Sequence, residues 1–158
     1  ATARSSAGTS SQPMAPILET LLVFAARTDH VARVIKPALA AGSFVICDRF
    51  TDATVAYQGA GHGVSAELIA GLAKAAHPDL RPDRTLIFDC PYEVASARLA
   101  KAGRALDRFE REDRAFFERV RAAYLAIAKA EPGRIRVIDA SRDAHGVRLQ
   151  IETALQGL

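Results

Sequence analysis

The sequence predicts an α/β fold built on a parallel sheet, and three observations predict it. Three short, apolar, β-branched runs (residues 44–48, 85–89 and 135–139) alternate with longer stretches of helical periodicity. Each run ends in an aspartate: Asp48, Asp89 and Asp139. Parallel strands present their ligands at their carboxyl ends, so these acids and the loops after them are where chemistry is expected. Composition agrees: 49% hydrophobic and 25% charged residues in a chain of 158 suit a globular domain with a buried core.

The elements follow in order. Residues 1–16, rich in Ser, Thr and Ala, carry one charge, Arg4, and no apolar periodicity. They are expected to be a disordered tail; a transit segment is the alternative, and the apolar core of a secretory signal is missing. Residues 17–158 are expected to form one unit. From Ile17, the residues Leu21, Leu22, Phe24, Val31, Val34, Ile35 and Leu39 take helical spacing, with Gly42 as the stop. Pro37 should kink this run or mark its final turns. Residues 44–48 are almost continuously apolar, which predicts a strand covered on both faces. A second helical stretch ends in Gly59, Gly61 and Gly63, and Ser65 can cap a helix over 66–76. The strand over 85–89 leads to Pro91 and a helix to about 102, broken by Gly103. An amphipathic helix is expected from about 109 to 130, then the strand 135–139 and a helix from about 145 to 155.

Charge and cysteine usage narrow the class. No apolar run approaches the ~20 residues of a membrane span, and 21 Lys+Arg against 18 Asp+Glu leaves +3. So small an excess does not argue for nucleic acid. Cys47 and Cys90 are too few for a disulfide framework and are expected to be buried thiols of a reducing compartment, which fits a cytoplasmic protein.

The densest local feature is Asp48-Arg49-Phe50-Thr51-Asp52, directly after the first run. A guanidinium there offers a planar fork to phosphate oxygens, and a neighbouring carboxylate can orient it or hold a Mg²⁺-bound water. The alternative is a strand-terminal salt bridge with Thr51 or Asp52 capping the next helix. Tyr57 and Gln58, beside a Gly-rich turn, could pack on and hydrogen-bond a sugar or base, or be a core-edge aromatic and its neighbour. Residues 98–121 carry eight of the 21 basic residues. Beyond Glu110 the mixed signs read as a solvated helix face. Arg98, Lys101 and Arg104 straddle Gly103 with no acid until Asp107, a cationic loop suited to closing over phosphates. The four histidines lack a second ligand at metal spacing, so no zinc site is expected.

Five stretches taken together (21–42, 44–64, 82–91, 106–125 and 136–141) resemble the thymidylate kinase family of bacterial type. The resemblance implies a P-loop kinase-like, three-layer α/β/α fold with a parallel sheet. It also implies transfer of the ATP γ-phosphoryl to dTMP with Mg²⁺, and a homodimer. By the same resemblance Arg49 would hold the dTMP phosphate, and Asp48 would organise Arg49 and, through water, the metal. Thr54, Tyr57 and Gln58 would line the nucleoside pocket, Arg27 would read the thymine edge and Phe24 would stack on the base. Arg98, Lys101 and Arg104 would supply lid cations, in a lid at about 98–108, with Phe109 and Glu110 following it toward the nucleotide. Asp139, Ala140 and Ser141 would border adenine.

The departure from the family lies in the phosphate cradle. A P-loop needs Gly-Lys-Ser/Thr, but none of Lys36, Lys74, Lys101 and Lys129 follows a glycine or precedes Ser or Thr. The first two family strands are therefore unmatched, including the central one, which the resemblance places between 44–48 and 85–89. Either those residues lie outside the 158, or the two flanking runs close up, or the protein is a remnant of the family. The expected function is dTMP kinase chemistry, with the 158 residues inactive alone. The alternative is a non-catalytic, nucleotide-binding or dimeric remnant of that family.

Overall fold

The computed structural model describes residues 14–102 and 113–158. The first helix, α1 (Pro16–His30), begins with a proline at its start, Glu19 in its first turn and Arg27 and His30 in its last, all favourable to the helix dipole. A π-helical turn, Val31–Ile35, joins it to α2 (Lys36–Ala40). Pro37 accounts for that turn, because it has no N–H to return to the preceding turn and its ring crowds the carbonyl there. The chain therefore widens by one residue instead of kinking sharply. Gly42, at φ 77°, ends the run.

Residues 43–47 form no strand and pair with none among the described residues. This corrects the expected covered strand: Phe44 is 93% exposed and Ile46 fully so. Burial depends on a neighbouring strand that these residues do not supply. The same cause overturns the expectation for Cys47, which is exposed, while Cys90 is half-buried.

Next come α3 (Thr51–Thr54), a second π-helical segment Val55–Gly61, and α4 (Ala66–Ala76), whose Ser65 cap accepts a bond from the Leu68 amide at 3.2 Å. Then β1 (Thr85–Asp89) leads into α5 (Tyr92–Ala102). Beyond the undescribed residues, α6 (Arg114–Ala130) starts on Asp113, whose side chain accepts from the Phe116 amide at 2.7 Å. The chain closes with β2 (Ile135–Asp139) and α7 (Ala144–Leu155), the latter capped by Asp143.

The strands β1 and β2 pair in parallel, Thr85 opposite Ile135 through Asp89 opposite Asp139. The α/β class and the parallel sheet hold, but 43–47 does not close up against β1. Instead α6 packs on both strands and on the 55–61 segment. There Ala56, Phe116 and Val120 form one apolar cluster. A second cluster, Phe24, Val64 and Ile69, joins α1 to α4. No helix among the described residues is long and apolar enough to cross a membrane.

Candidate active site

Arg49 is the one described non-glycine residue with positive φ, 64°. Left-handed backbone costs a side-chain-bearing residue roughly 1–2 kcal/mol, and such strain is concentrated at functional positions. The turn lays the Arg49 guanidinium carbon 4.7 Å above the Tyr57 ring centroid. Tyr57 is in turn held from α6, 6.1 Å from the Phe116 ring and edge-on to Tyr124 at 6.2 Å. Burial raises the Tyr124 phenol above its ordinary range and Tyr57 adds to the rise, with Arg49 working against it.

Arg27 reaches the same region from α1. It is 8% exposed, and its Nη2 donates to the Phe50 carbonyl at 3.2 Å and to Thr54 Oγ1 at 2.9 Å. Its guanidinium lies 4.7 Å from the Phe24 ring and 5.2 Å from that of Phe50. Burial lowers its pKa, and Cys47 partly opposes that. Nη1 is buried and has no hydrogen-bond partner among the described residues. An unpaired buried donor costs about 1–3 kcal/mol, so this atom is ready for an acceptor on a ligand. Phe24, Arg27 and Thr54 thus form one group and Arg49 and Tyr57 another, linked through the chain at Phe50, whose carbonyl Arg27 holds. Gln58 is 4% exposed and donates to Glu19 Oε1 at 3.0 Å, tying the 55–61 segment to α1.

The other expected residues lie elsewhere. Asp48 is exposed beside Arg49. Arg98, on α5, donates to the carbonyls of Ala140, Ser141 and Arg142 at 2.5, 3.2 and 3.2 Å. Asp139 folds the following turn, accepting from Ser141 N and Oγ at 3.0 and 2.5 Å and from Arg142. These bonds, that of the Ser141 hydroxyl foremost, hold the Asp139 carboxyl below its ordinary pKa. Lys101 is exposed on the last turn of α5. Arg104, Phe109 and Glu110, most of the lid region and the tail through residue 13 lie outside the described residues.

Thr51 and Asp52 do not cap α3 with their side chains. The Thr51 hydroxyl meets His77 Nε2 at 2.9 Å, and Asp52 takes a bidentate bond from Arg134 at 2.8 and 2.9 Å. A cavity of about 420 Å³ lies beside them, with Phe50, Val55, Ile69, Lys74 and His77 among its walls; it contains neither Arg49 nor Tyr57. Sequence reasoning missed Glu19, Phe50 and His77. Glu19 was detectable as a charge inside an apolar stripe, whereas His77 carried no spacing signal.

The model of a family described as thymidylate kinase matches residues 2–151. The chain belongs to the thymidylate kinase family. A thymidylate kinase of Bordetella pertussis is 57% identical over 148 residues, spanning 94% of this chain and 71% of the relative. One from Pseudomonas putida strain W619 is 54% identical over 149 residues, spanning 94% and 72%. A crystal structure of thymidylate kinase from Ehrlichia chaffeensis superposes with a TM-score of 0.71 at 33% identity, covering 93% of this chain and 68% of that one. The relatives carry the name of a kinase, a phosphotransferase, and the thymidylate kinase fold extends over most of this chain.

Proposed function

We propose that the protein serves phosphoryl transfer from ATP to dTMP, yielding dTDP, and that the described residues form the acceptor side of that reaction. The observation that carries this reading is the strained Arg49 lying over Tyr57, next to the buried Arg27 with its unpartnered Nη1. Arg49 would grip the dTMP phosphate with a charge-assisted fork. Tyr57 would pack under the deoxyribose, Phe24 on the base, and Arg27 would give its spare N–H to the thymine edge. Thr54 and Gln58 hold these groups in register, one through Arg27 and the other through Glu19. Phe109 and Glu110, which lie outside the described residues, are proposed to face the nucleotide by the family resemblance alone.

The donor side is a different matter. The 158 residues hold no Gly-Lys-Ser/Thr cradle, and no described group of three His, Cys, Asp or Glu side chains is arranged for a metal. These residues alone therefore do not fit ATP or Mg²⁺. Asp48 could touch a metal's water shell only in company with further groups. Arg98, proposed with Lys101 and Arg104 as a lid cation, would have to release three carbonyls to reach a phosphate. Lys101 has no such ties among the described residues. The turn Asp139-Ala140-Ser141 is proposed to border adenine.

The exposed stripe Ile17, Leu18, Leu21, Leu22 and Val34 on α1 and the turn after it supports a homodimer through that face. Sedimentation is expected to give a dimer, and a monomer at micromolar concentration would contradict this. A cytoplasmic location goes with the same reading. In a coupled ATP/dTMP assay the 158 residues are expected to give no measurable turnover. A rate above ~1 s⁻¹, ordinary for a kinase, would overturn that. A nucleotide-binding relative without catalysis is the alternative. An in-frame Gly-x-x-x-x-Gly-Lys-Ser/Thr upstream in the gene favours the enzyme.

A further inference from the structure

Behind the Arg27 surface stands a residue to which the acceptor reading gives no role. His77 ends α4, is 7% exposed, and uses both ring nitrogens. Nδ1 lies 3.2 Å from the Leu80 carbonyl, which can only accept, so Nδ1 carries the proton. In the neutral ring Nε2 is then an acceptor, and the Thr51 hydroxyl, 2.9 Å away, donates to it. The imidazole also packs 4.7 Å from the Phe50 ring and stacks at 18° on Phe24, with centroids 6.4 Å apart. These two rings are the ones on which Arg27 rests, and the Phe50 carbonyl is one of its two acceptors.

We propose that His77 is a positioning residue for acceptor recognition, fixing Phe50 and the start of α3 so that Arg27 presents its unpaired N–H to the nucleobase. This rests on the acceptor reading above and extends it to a residue that reading does not use. The coupling is through contact: α4 is joined to α3 by the Thr51 hydrogen bond and to Arg27 by the wall of three rings. Loss of the bond frees Phe50 and Thr51 to shift, and Arg27 loses its fixed aim. Loss of the imidazole's aromatic face would act on the same rings.

The test is calorimetric titration of dTMP and dCMP into the full 158-residue chain, with thermal unfolding of each variant recorded alongside. His77→Phe keeps a ring and removes both hydrogen bonds, whereas His77→Gln can place an acceptor near Thr51. Thr51→Val removes the donor from the other side. His77→Phe and Thr51→Val are expected to weaken dTMP binding roughly two- to tenfold, the worth of one hydrogen bond. Both should also narrow the preference for dTMP over dCMP, which a purely structural role would leave alone. His77→Gln, which offers Thr51 an acceptor but loses the ring, should weaken dTMP binding less than His77→Phe does. Unchanged dTMP affinity, or an unchanged dTMP-to-dCMP ratio, in Thr51→Val would overturn the proposal, even if His77→Phe fails to fold. An unaltered chain that binds no dTMP would instead overturn the acceptor reading, and the positioning role with it.

Discussion

At the scale of single residues, paired charges define which side chains are fixed. Arg134 holds Asp52 with two bonds and Glu131 with one at 2.7 Å, and Glu131 also meets Arg81. The bond from Arg134 is the largest cause lowering the Glu131 pKa from its ordinary 4.5, as the Ser141 hydroxyl lowers that of Asp139 from 3.8. Carboxyl groups depressed in the folded state stabilise it fully above their ordinary values and lose that contribution as pH falls through the folded ones. Urea midpoints are therefore expected to stay level from pH 7 to about 5 and to fall below about pH 4. A midpoint unchanged down to pH 3 would contradict these pairings. Most of these groups are partly exposed, so solvent screening keeps the individual effects small.

Among the elements, the 55–61 segment is the hinge between chemistry and core. It carries Tyr57 and Gln58 toward the acceptor side while Ala56 is fully buried against α6. Gly61 makes that approach feasible: a Cβ there would lie 2.5 Å from Phe116 Cε2 and 3.2 Å from Val120 Cγ2. Gly61→Ala is expected to cost about 1–3 kcal/mol, the usual penalty for overpacking. Chemical denaturation checks it, and a loss under about 0.5 kcal/mol, typical of surface changes, would mean that α6 sits farther away. The helices at this scale were legible because periodicity, caps and glycine stops are local: α4 begins after Ser65 as its sequence predicts, and both described strands stand where their β-branched runs lie. The fate of 43–47 was not legible, because whether an apolar run is covered is decided by a partner distant in sequence. The site followed the same division. Arg49 and Tyr57 announced themselves by a local motif, but the Asp52–Arg134 and Thr51–His77 contacts join residues 82 and 26 positions apart.

For the whole molecule, β1 pairs on one side only among the described residues, and Phe44, Ile46 and Phe88 are exposed. Yet two residues proposed for the acceptor side, Phe24 and Tyr57, pack in clusters built from α1, α4, α6 and the 55–61 segment. In the proposed function, two abilities that a kinase normally combines come apart: gripping the acceptor and activating the donor. The molecule is held to possess the first by itself. Calorimetric titration of dTMP into the 158-residue chain and its Arg49→Ala variant measures this most directly. The account predicts that the unaltered chain binds and that the variant binds about 1.5–3 kcal/mol more weakly, the worth of a charge-assisted contact. Equal affinities for the two proteins would contradict it.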